Sequence, residues 1–323
     1  MKILVTGGAG FIGSHVVDVL MEQGHEVVIY DLESPIYSQK CENIIADVND
    51  MPKLEAAAKG IDAIYHMAAQ ANVNIFFNEP VTSNYNTSNS TINVLEAARK
   101  NNVGRVLLSS TEWIYGSVEG DESTQITEET IYAQNPDHLY TSSKIAAEMF
   151  CRNYKTLYGV NFTIMRYGIP FGERARAATV TPIFIDKILN GGEITIHGNG
   201  SQTRQFIYVR DLAEGNVSCL KPEGENEIFN INGREVIRVI DIVTTLEEIL
   251  GKKANVKFIE DRMGNYKGRY ISSEKAERLL GWKPKLKYRE AMEKYVNQIT
   301  NSKYQIATSK QQIAKKYIPK LII

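Results

Sequence analysis

Residues 2–13 read KILVTGGAGFIG, and this stretch decides the fold. It opens with an apolar run, which is typical of a parallel strand buried on both faces. Apolar residues at three- and four-residue spacing then predict a helix from Phe11 to Gln23. Between strand and helix, Gly7 permits a tight turn, Gly10 lets the backbone approach a pyrophosphate, and Gly13 lets helix and strand pack closely. The helix N-terminus then faces the negative charge of a dinucleotide.

An acidic residue at the end of the next strand specifies the cofactor. Asp31 lies 21 residues after Gly10, where a carboxylate can accept both hydroxyls of the adenosine ribose. No Lys or Arg occurs between Asp31 and Lys40 to hold a 2′-phosphate, so NAD is favoured over NADP. Asp47 and Val48 follow the third strand and are candidates for bracketing the adenine. The alternative for Asp47 is a carboxylate that merely solvates the surface.

Beyond this unit, short apolar strands alternate with amphipathic helices as far as Pro170. Strict alternation predicts an α/β protein with a doubly wound parallel Rossmann sheet, and the mixed pattern that follows predicts a smaller C-terminal α/β substrate lobe. The predicted strands are 3–5, 27–30, 61–66, 103–109 and 160–166, and the predicted helices are 11–23, 51–59, 90–101, 137–158, 239–250 and 273–280. The predicted domains are 1–169 with 206–232 returning to it, a substrate lobe of 170–205 and 233–300, and a basic tail of 301–323.

The composition excludes several classes of protein. The 323 residues include 37 basic and 38 acidic ones, a net charge of −1, so nothing global favours nucleic acid or an anionic membrane. Cys41, Cys151 and Cys219 are too far apart for a Cys-X-X-Cys site, and the five histidines are scattered, so no metal is expected. The chain has neither a signal-peptide pattern nor an apolar stretch of about 18 residues, which predicts a cytoplasmic protein without a membrane segment.

Several motifs in combination resemble the extended short-chain dehydrogenase/reductase family, in particular nucleotide-sugar epimerases and dehydratases such as UDP-glucose 4-epimerase. The resemblance covers Met1 to about Asn297. The motifs are TGGAGFIGSH at 6–15, Asp31, HMAA at 66–69, SST at 109–111 before IYG at 114–116, Tyr140-x-x-x-Lys144, GNGSQTRQFIYVRDL at 198–212 and LLGWKP at 279–284. The resemblance implies NAD, a nucleotide-diphosphate sugar as substrate, and a homodimer formed by the helices at 79–101 and 137–158.

The Tyr140 and Lys144 pair is the predicted catalytic centre. Four residues apart on one helix, their side chains share a face. A neighbouring ammonium and a cationic nicotinamide lower the pKa of a tyrosine, so Tyr140 can take a proton from a sugar hydroxyl as hydride leaves the same carbon. The alternative is a solvated surface pair. In the family, the residue at Thr111 hydrogen-bonds the reacting oxygen, and Lys144 also holds the nicotinamide ribose. The predicted cofactor residues are Gly7, Gly10, Phe11, Ile12, Gly13, Asp31, Asp47, Val48, Ala68, Tyr140 and Lys144.

The two residues after Thr111 discriminate among the reactions of the family. Related 4,6-dehydratases carry Asp-Glu there as acid and base, whereas this chain has Glu112 and Trp113, and Trp113 cannot act as a base. The related decarboxylases, with Glu at the second position, fit poorly as well. A 4-epimerase needs no second acid-base pair and is therefore favoured. The alternatives are a 4,6-dehydratase that uses Glu112 and a non-catalytic NAD-binding regulator on the same fold.

Arginines are the predicted ligands of the substrate diphosphate, because a guanidinium matches phosphate geometry. Arg204 and Arg262 match two phosphate-binding arginines of the family. The family's asparagine after the Arg-Tyr-x pattern is Ile169 here, which removes a phosphate donor. Arg174 and Arg176 are the candidates to replace it.

Overall fold

The computed structural model of the chain describes residues 1–37, 40–116, 125–177, 179–260, 268 and 270–301. Arg262 and the tail from residue 302 onward lie outside the described residues, so their predicted roles stay predictions. Within the described ranges, no helix is long and apolar enough to cross a membrane.

The described strands form three sheets. They are β1 (Lys2–Thr6), β2 (Glu26–Asp31), β3 (Glu42–Ile45), β4 (Ala63–His66), β5 (Arg105–Thr111), β6 (Phe162–Tyr167), β7 (Ile169–Phe171), β8 (Glu193–His197), β9 (Thr203–Tyr208), β10 (Glu227–Ile231), β11 (Val236–Arg238) and β12 (Asn255–Ile259). The α-helices are α1 (Phe11–Glu22), α2 (Met51–Ala57), α3 (Val73–Asn78), α4 (Pro80–Asn84), α5 (Ser90–Asn101), α6 (Leu139–Tyr158), α7 (Val180–Asn190), α8 (Val209–Ser218), α9 (Val239–Leu250), α10 (Glu274–Leu280) and α11 (Tyr288–Asn301). Each predicted strand and helix has a counterpart, which confirms those predictions.

The main sheet has seven strands in the order β3-β2-β1-β4-β5-β6-β10, and all of its pairs are parallel. This order confirms the predicted doubly wound Rossmann sheet. The strand order reverses between β1 and β4, so the loops that follow these two strands diverge at the carboxyl edge. In open α/β sheets that crevice is where ligands bind.

The unbroken apolar runs are explained by helices on both faces of the sheet. Alternate residues of β1 enter different cores: Ile3 and Val5 pack beneath α1, α8 and α10, whereas Leu4 packs beneath α2, α5 and α6. Because helices cover both faces of the sheet and exclude water, the residues of β1 that point to either face are apolar.

The smaller sheets, β11-β9-β7 and β12-β8, pack with α7, α9 and α11 around a separate core that includes Phe171, Phe184, Leu246 and Met292. The chain then returns to the main sheet, because α8 packs against α1 and β10 pairs with β6. The exact domain boundaries stay a prediction. A second, smaller α/β layer is thus placed beside the carboxyl edge of the main sheet.

Candidate active site

The glycine loop after β1 leaves room for a nucleotide phosphate. Gly7 has a φ of +73°, and its N–H donates to the carbonyl of Tyr30 at 2.9 Å. A Cβ on Gly13 would lie 2.1 Å from the Gly7 carbonyl oxygen, so only glycine lets α1 approach β1 this closely. The backbone of Ala68, after β4, abuts Gly7. The loops after β1 and β4 therefore meet at the strand-order reversal, with Phe11 opening α1 between them.

The carboxylate of Asp31 lies against this loop. Its Oδ2 accepts the N–H of Ala9 at 2.9 Å, and its Oδ1 accepts the N–H of Glu33 at 3.3 Å. This position, at the end of β2 and beside the phosphate loop, fits a carboxylate that binds the adenosine ribose. Together with the close approach of α1 to β1 at Gly13, it is the observation that makes the residues present fit NAD.

The loop after β3 carries the predicted adenine contacts. Val48 is buried, and Asp47 is exposed with its carboxylate accepting the N–H of Asn49 at 2.8 Å. The Asn93 side chain donates to the Val48 carbonyl at 3.3 Å, so α5 holds this loop. The adenine contacts of Asp47 and Val48 stay predictions, and so does the cofactor contact of Ile12 on α1.

A single turn of π-helix lies at Tyr85–Asn89, between α4 and α5. It supports the loops that follow β3 and β4, and the sequence analysis did not predict it. Asn86 accepts a hydrogen bond from Asn49 at 3.0 Å, and the Thr87 hydroxyl accepts the N–H of Gln70 at 3.2 Å. Such bulges are frequent at functional sites. Neither contact is local in sequence. The polar residues at 85–89 therefore did not predict that this turn supports the two loops.

Tyr140 and Lys144 lie in the first two turns of α6, at the carboxyl end of β5. Tyr140 is half-buried, and burial raises its pKa to about 12, although a hydrogen bond with Thr111 and the charge of Arg176 oppose the rise. Lys144 is buried, and its Nζ donates to the Ser109 carbonyl at 2.9 Å. Burial lowers the pKa of Lys144 to about 8. The structure thus brings the predicted Thr111, Tyr140 and Lys144 together.

Aromatic side chains pack against the phenol of Tyr140. The rings of Phe76 and Trp113 meet Tyr140 edge-on, with centroids 5.7 and 6.1 Å away. Trp113 also stacks on His138 at 5.2 Å. These contacts limit the orientations that the Tyr140 ring can adopt. The sequence analysis used Trp113 only to argue that no base follows Glu112. It did not predict that Trp113 packs against Tyr140.

A buried ion pair lies behind the catalytic helix. Arg166 donates to the carboxylate of Glu148 at 2.8 Å, and both side chains are almost fully buried. The hydroxyls of Ser110 and Tyr132 also donate to Glu148, at 2.5 and 2.7 Å. Glu148 lies one helical turn past Lys144 and raises its pKa, against the effect of burial. This network, which sequence reasoning missed, ties the end of β5 to α6.

Glu112 is buried beside Thr111, with only 2% of its surface exposed. Its Oε2 has no hydrogen-bond partner among the residues that the structure describes. Burial raises its pKa to about 8, although the nearby positive charge of Arg204 opposes this. Burial therefore favours the neutral carboxylic acid form of Glu112, which can donate a proton or a hydrogen bond.

The predicted substrate arginines occupy different surroundings. Arg174 pairs with Asp18 of α1 at 2.7 Å and lies over the ring of Tyr37, which favours a structural role, and its contact with substrate stays a prediction. Arg176 is exposed, and its charge acts on Tyr140. Arg204, on β9, donates to the carbonyl of the preceding residue at 2.7 Å and faces Glu112.

In the described ranges, no cluster of three or more His, Cys, Asp or Glu could hold a metal ion.

A doubly wound sheet with a glycine loop, a carboxylate at the end of β2 and a Tyr-Lys pair after β5 is typical of a class of dinucleotide-binding enzymes. The family model described as the NAD dependent epimerase/dehydratase family matches residues 3–232. The chain therefore belongs to this NAD-dependent family, and NAD is its cofactor.

Proteins similar to this chain have several activities. It is 34% identical over 308 residues to a Methanocaldococcus jannaschii protein provisionally named UDP-glucose 4-epimerase, covering 93% of this chain and 99% of that one. The structure of Thermotoga maritima UDP-glucose 4-epimerase with UDP-glucose has a TM-score of 0.86 and 31% identity, covering 93% and 99% of the two chains. Homo sapiens dTDP-D-glucose 4,6-dehydratase is 30% identical over 320 residues, covering 91% and 89%. Relatives thus include epimerases and dehydratases of nucleotide sugars.

Proposed function

We propose that the protein is an NAD-dependent nucleotide-sugar epimerase, which oxidises C4 of the sugar to a 4-keto intermediate and reduces it again from the opposite face. One observation carries this proposal: Thr111, Tyr140 and Lys144 converge at the carboxyl end of β5, while Trp113 packs on Tyr140 where a dehydratase needs a base. An epimerase needs only the first three side chains.

In this proposal Tyr140 takes the proton of the C4 hydroxyl, and Thr111 hydrogen-bonds the reacting oxygen. With a pKa of about 12 the phenol is a weak base at neutral pH, so positive charge beside it is required. Lys144 supplies part of this charge from one turn away and holds the nicotinamide ribose. NAD, held by the glycine loop and Asp31, would supply the hydride acceptor and donor for C4 and the positive charge of a nicotinamide ring.

The substrate diphosphate is proposed to bind to Arg204 and Arg262, with Arg174 and Arg176 as further candidates. Among the described members of this set, Arg204 reaches the site from β9, and Arg176 is the exposed one. A guanidinium can give two parallel hydrogen bonds to one phosphate, which fixes both position and orientation. The nucleotide would then extend from the carboxyl edge of the main sheet into the smaller lobe.

The direct test is product analysis. The purified protein is incubated with UDP-glucose, UDP-GlcNAc, their uronic forms and their 4-epimers, with Tyr140→Phe as the matched inactive variant. We expect interconversion of one pair of 4-epimers without added NAD, because the cofactor is regenerated in each turnover. A 4-keto-6-deoxy sugar formed without any epimer would refute the epimerase and establish a dehydratase.

The second candidate is a 4,6-dehydratase, and the protonated, buried Glu112 is the observation that favours it. Glu112 could protonate the departing 6-hydroxyl as a general acid. Glu112→Gln removes the transferable proton but keeps the shape of the side chain. Loss of all turnover in this variant would support the dehydratase, whereas an epimerase should be largely spared.

A homodimer is also proposed, because large apolar side chains, here called the apolar strip, are exposed on or next to the helices at 79–101 and 137–158 that are predicted to form the interface. Phe77 and Val81 are 85% and 82% exposed, and Tyr85 and Met149 are partly exposed on the same helical layer. Exposed aromatic and aliphatic side chains at this density are typical of an interface. A second copy presenting its own α3, α4 and α6 would cover the strip.

The cytoplasmic location stays a prediction from the sequence.

A further inference from the structure

Three consecutive residues at the end of β5 each hold one residue of α6. The pairs are Ser109 with Lys144, Ser110 with Glu148 and Thr111 with Tyr140. The three α6 residues follow each other at intervals of four, so they share one face of the helix, with Cβ atoms about 5–6 Å apart from one to the next. Tyr140 and Lys144 act in the proposed function, whereas Glu148 has no part in it.

The carboxylate of Glu148 is fully buried and is held from three sides. It accepts hydrogen bonds from the Ser110 hydroxyl at 2.5 Å and from the Tyr132 hydroxyl at 2.7 Å. From β6, Arg166 donates to it through Nη2 at 2.8 Å and through Nε at 3.2 Å. Donors on three separate segments of the chain therefore fix the position of this charge.

Stability of the fold gives little reason for a charge at this place. Both Glu148 and Arg166 must leave water, and replacing such a buried pair by packed apolar residues is often neutral or stabilising. The other neighbour of the Glu148 carboxylate, one turn back on α6, is Lys144. A role towards Lys144 gives the charge a reason that packing does not.

The ammonium of Lys144 is buried, and it needs a negative charge nearby to keep its proton. Burial lowers the pKa of Lys144 to about 8, and the charge of Glu148 opposes this fall. Cys151, on the next turn of α6, would act in the same direction as a thiolate. Burial raises the pKa of the Cys151 thiol, however, so this side chain stays uncharged. On the helix itself, Glu148 is thus the ionised partner of Lys144.

The strands beneath Lys144 add no further negative charge, because β4, β5 and β6 contain no Asp or Glu. On β4, burial and the charge of Lys144 lower the pKa of His66 to about 3, so His66 is neutral. The charged side chain at this end of β6 is Arg166, which is paired with Glu148. Directly after β5, burial favours the neutral form of Glu112.

We propose that Glu148 is a positioning residue for Lys144: its buried carboxylate, held in place by Arg166, keeps Lys144 in the ammonium form at the site. This inference rests on the proposed function, in which the ammonium supplies charge beside Tyr140 and holds the nicotinamide ribose. Without the charge of Glu148, burial would release the proton of Lys144 at a lower pH. A neutral amine would not supply the charge that the phenol requires.

The test follows the ionisation of Lys144 by ¹³C NMR of the NAD-loaded protein, with lysine labelled at the ε-carbon and Lys144→Met to identify the signal. Glu148→Gln keeps the size of the side chain and an acceptor for Ser110 but removes the charge. In this variant Lys144 should titrate at least about one pH unit lower than in the wild type, the effect of losing one close opposite charge. Ser110→Ala keeps the charge and removes one donor, so Lys144 should titrate as in the wild type.

The pH dependence of kcat separates this role from a merely structural one. In Glu148→Gln, kcat for epimerisation should fall on the alkaline side at a pH about one unit lower than in the wild type. KM for the nucleotide sugar should change little, because Glu148 lies behind the site. A structural contribution alone would lower the melting temperature and reduce kcat by the same factor at every pH, and it would leave the titration of Lys144 unmoved.

The matched control is Glu214→Gln. Glu214 is also paired with basic side chains, Arg210 and Lys285, but it lies on α8, which covers the opposite face of the sheet from α6. This change should leave the titration of Lys144 as it is in the wild type. The same shift in Glu214→Gln as in Glu148→Gln would overturn the specific role of Glu148.

A second variant covers the case in which Glu148→Gln fails to fold because Arg166 is left unpaired. Glu148→Gln combined with Arg166→Gln removes both charges together. Lys144 should still titrate lower, because Glu148 is the charge that acts on it. A titration of Lys144 at the wild-type pH in the variant that folds would overturn the inference.

These measurements separate the inference from the proposed function. A wild type that forms no epimer refutes the epimerase, while the NMR titration still tests the role of Glu148. An unmoved titration in an active epimerase refutes the inference alone.

Discussion

Lys144 lies one helical turn after Tyr140, and its ammonium donates to the main-chain carbonyl of Ser109 at 2.9 Å. This hydrogen bond fixes the positive charge between α6 and the end of β5. The charge that acts on the Tyr140 phenol in the described residues is that of Arg176, whereas the sheet defines the position of the Lys144 ammonium. Tyr140 is half-buried, whereas Lys144 is buried.

Tyr140→Phe should lower kcat by about 100- to 10,000-fold, the range typical of losing one general base. NAD and UDP binding should persist, because the ring still packs between Phe76 and Trp113. The measurement combines steady-state kinetics with the NAD content of the purified variant. Tyr158→Phe, at the exposed end of the same helix, is the control and should retain full activity. Full activity in Tyr140→Phe would leave a non-catalytic regulator as the better hypothesis.

Asp31→Ala should weaken NAD binding and reduce the discrimination against NADP. The carboxylate is the predicted ribose ligand, and it also accepts the Ala9 N–H in the glycine loop. Titration of the cofactor-free protein with NAD and NADP measures both effects. Asp186→Ala, an exposed change on α7, is the control. Equal affinity of the unmutated protein for the two cofactors would show that Asp31 has another role.

Glu112→Gln should stabilise the protein increasingly as the pH rises. Burial raises the pKa of Glu112 from its ordinary 4.5 to about 8, so the folded state retains a proton that the unfolded chain releases. The stabilising contribution of the protonated acid is complete below pH 4.5 and is lost between pH 4.5 and 8. Each unit of pKa shift corresponds to about 1.4 kcal/mol. Glutamine does not titrate and escapes this loss.

Melting temperatures at pH 5 and pH 8 give the measurement for Glu112→Gln. The advantage of the variant should be larger at pH 8. Glu96→Gln provides the control: the hydrogen bond with Arg99 lowers the pKa of Glu96 from 4.5, so its contribution is lost only below that pH and the effect of the substitution should be nearly equal at pH 5 and pH 8. An equal effect of Glu112→Gln at the two pH values would contradict a protonated Glu112.

Arg204→Met should raise KM for the nucleotide sugar by about 10- to 150-fold, which corresponds to one charge-assisted hydrogen bond. A phosphate is held equally in the ground and transition states, so kcat should change little. The melting temperature without substrate should stay the same, because losing Arg204 leaves Glu112 neutral. Arg289→Met, an exposed change on α11, is the control. Unfolding of the Arg204 variant would indicate a structural ion pair instead.

Val81→Arg should disrupt the proposed homodimer. A charge in the middle of the apolar strip would be buried without a partner when two copies associate. Sedimentation equilibrium of the wild type should give a dimer, and the variant should shift towards monomer with an unchanged fold. Phe258→Arg is the control, because Phe258 is 54% exposed on β12, away from the strip. A monomeric wild type would refute the interface.

The sequence by itself determined the features that depend on local spacing. The apolar run into Gly7 and Gly13 defined the first strand, turn and helix, because each of these needs only neighbouring residues. The four-residue interval between Tyr140 and Lys144 placed both on one helix face for the same reason. The favoured cofactor followed from Asp31, whose place at the end of β2 is set by strand length alone.

Only the tertiary structure decided which residues face each other across separate strands. Asn232 lies beside Gly168, and Arg204 acts on Glu112, because β10, β6 and β5 are neighbours although they are far apart in the chain. Arg174 pairs with Asp18 because the loop after β7 returns to α1, a contact that spacing cannot encode. Burial follows from the same long-range packing, and it sets whether Glu112 is charged.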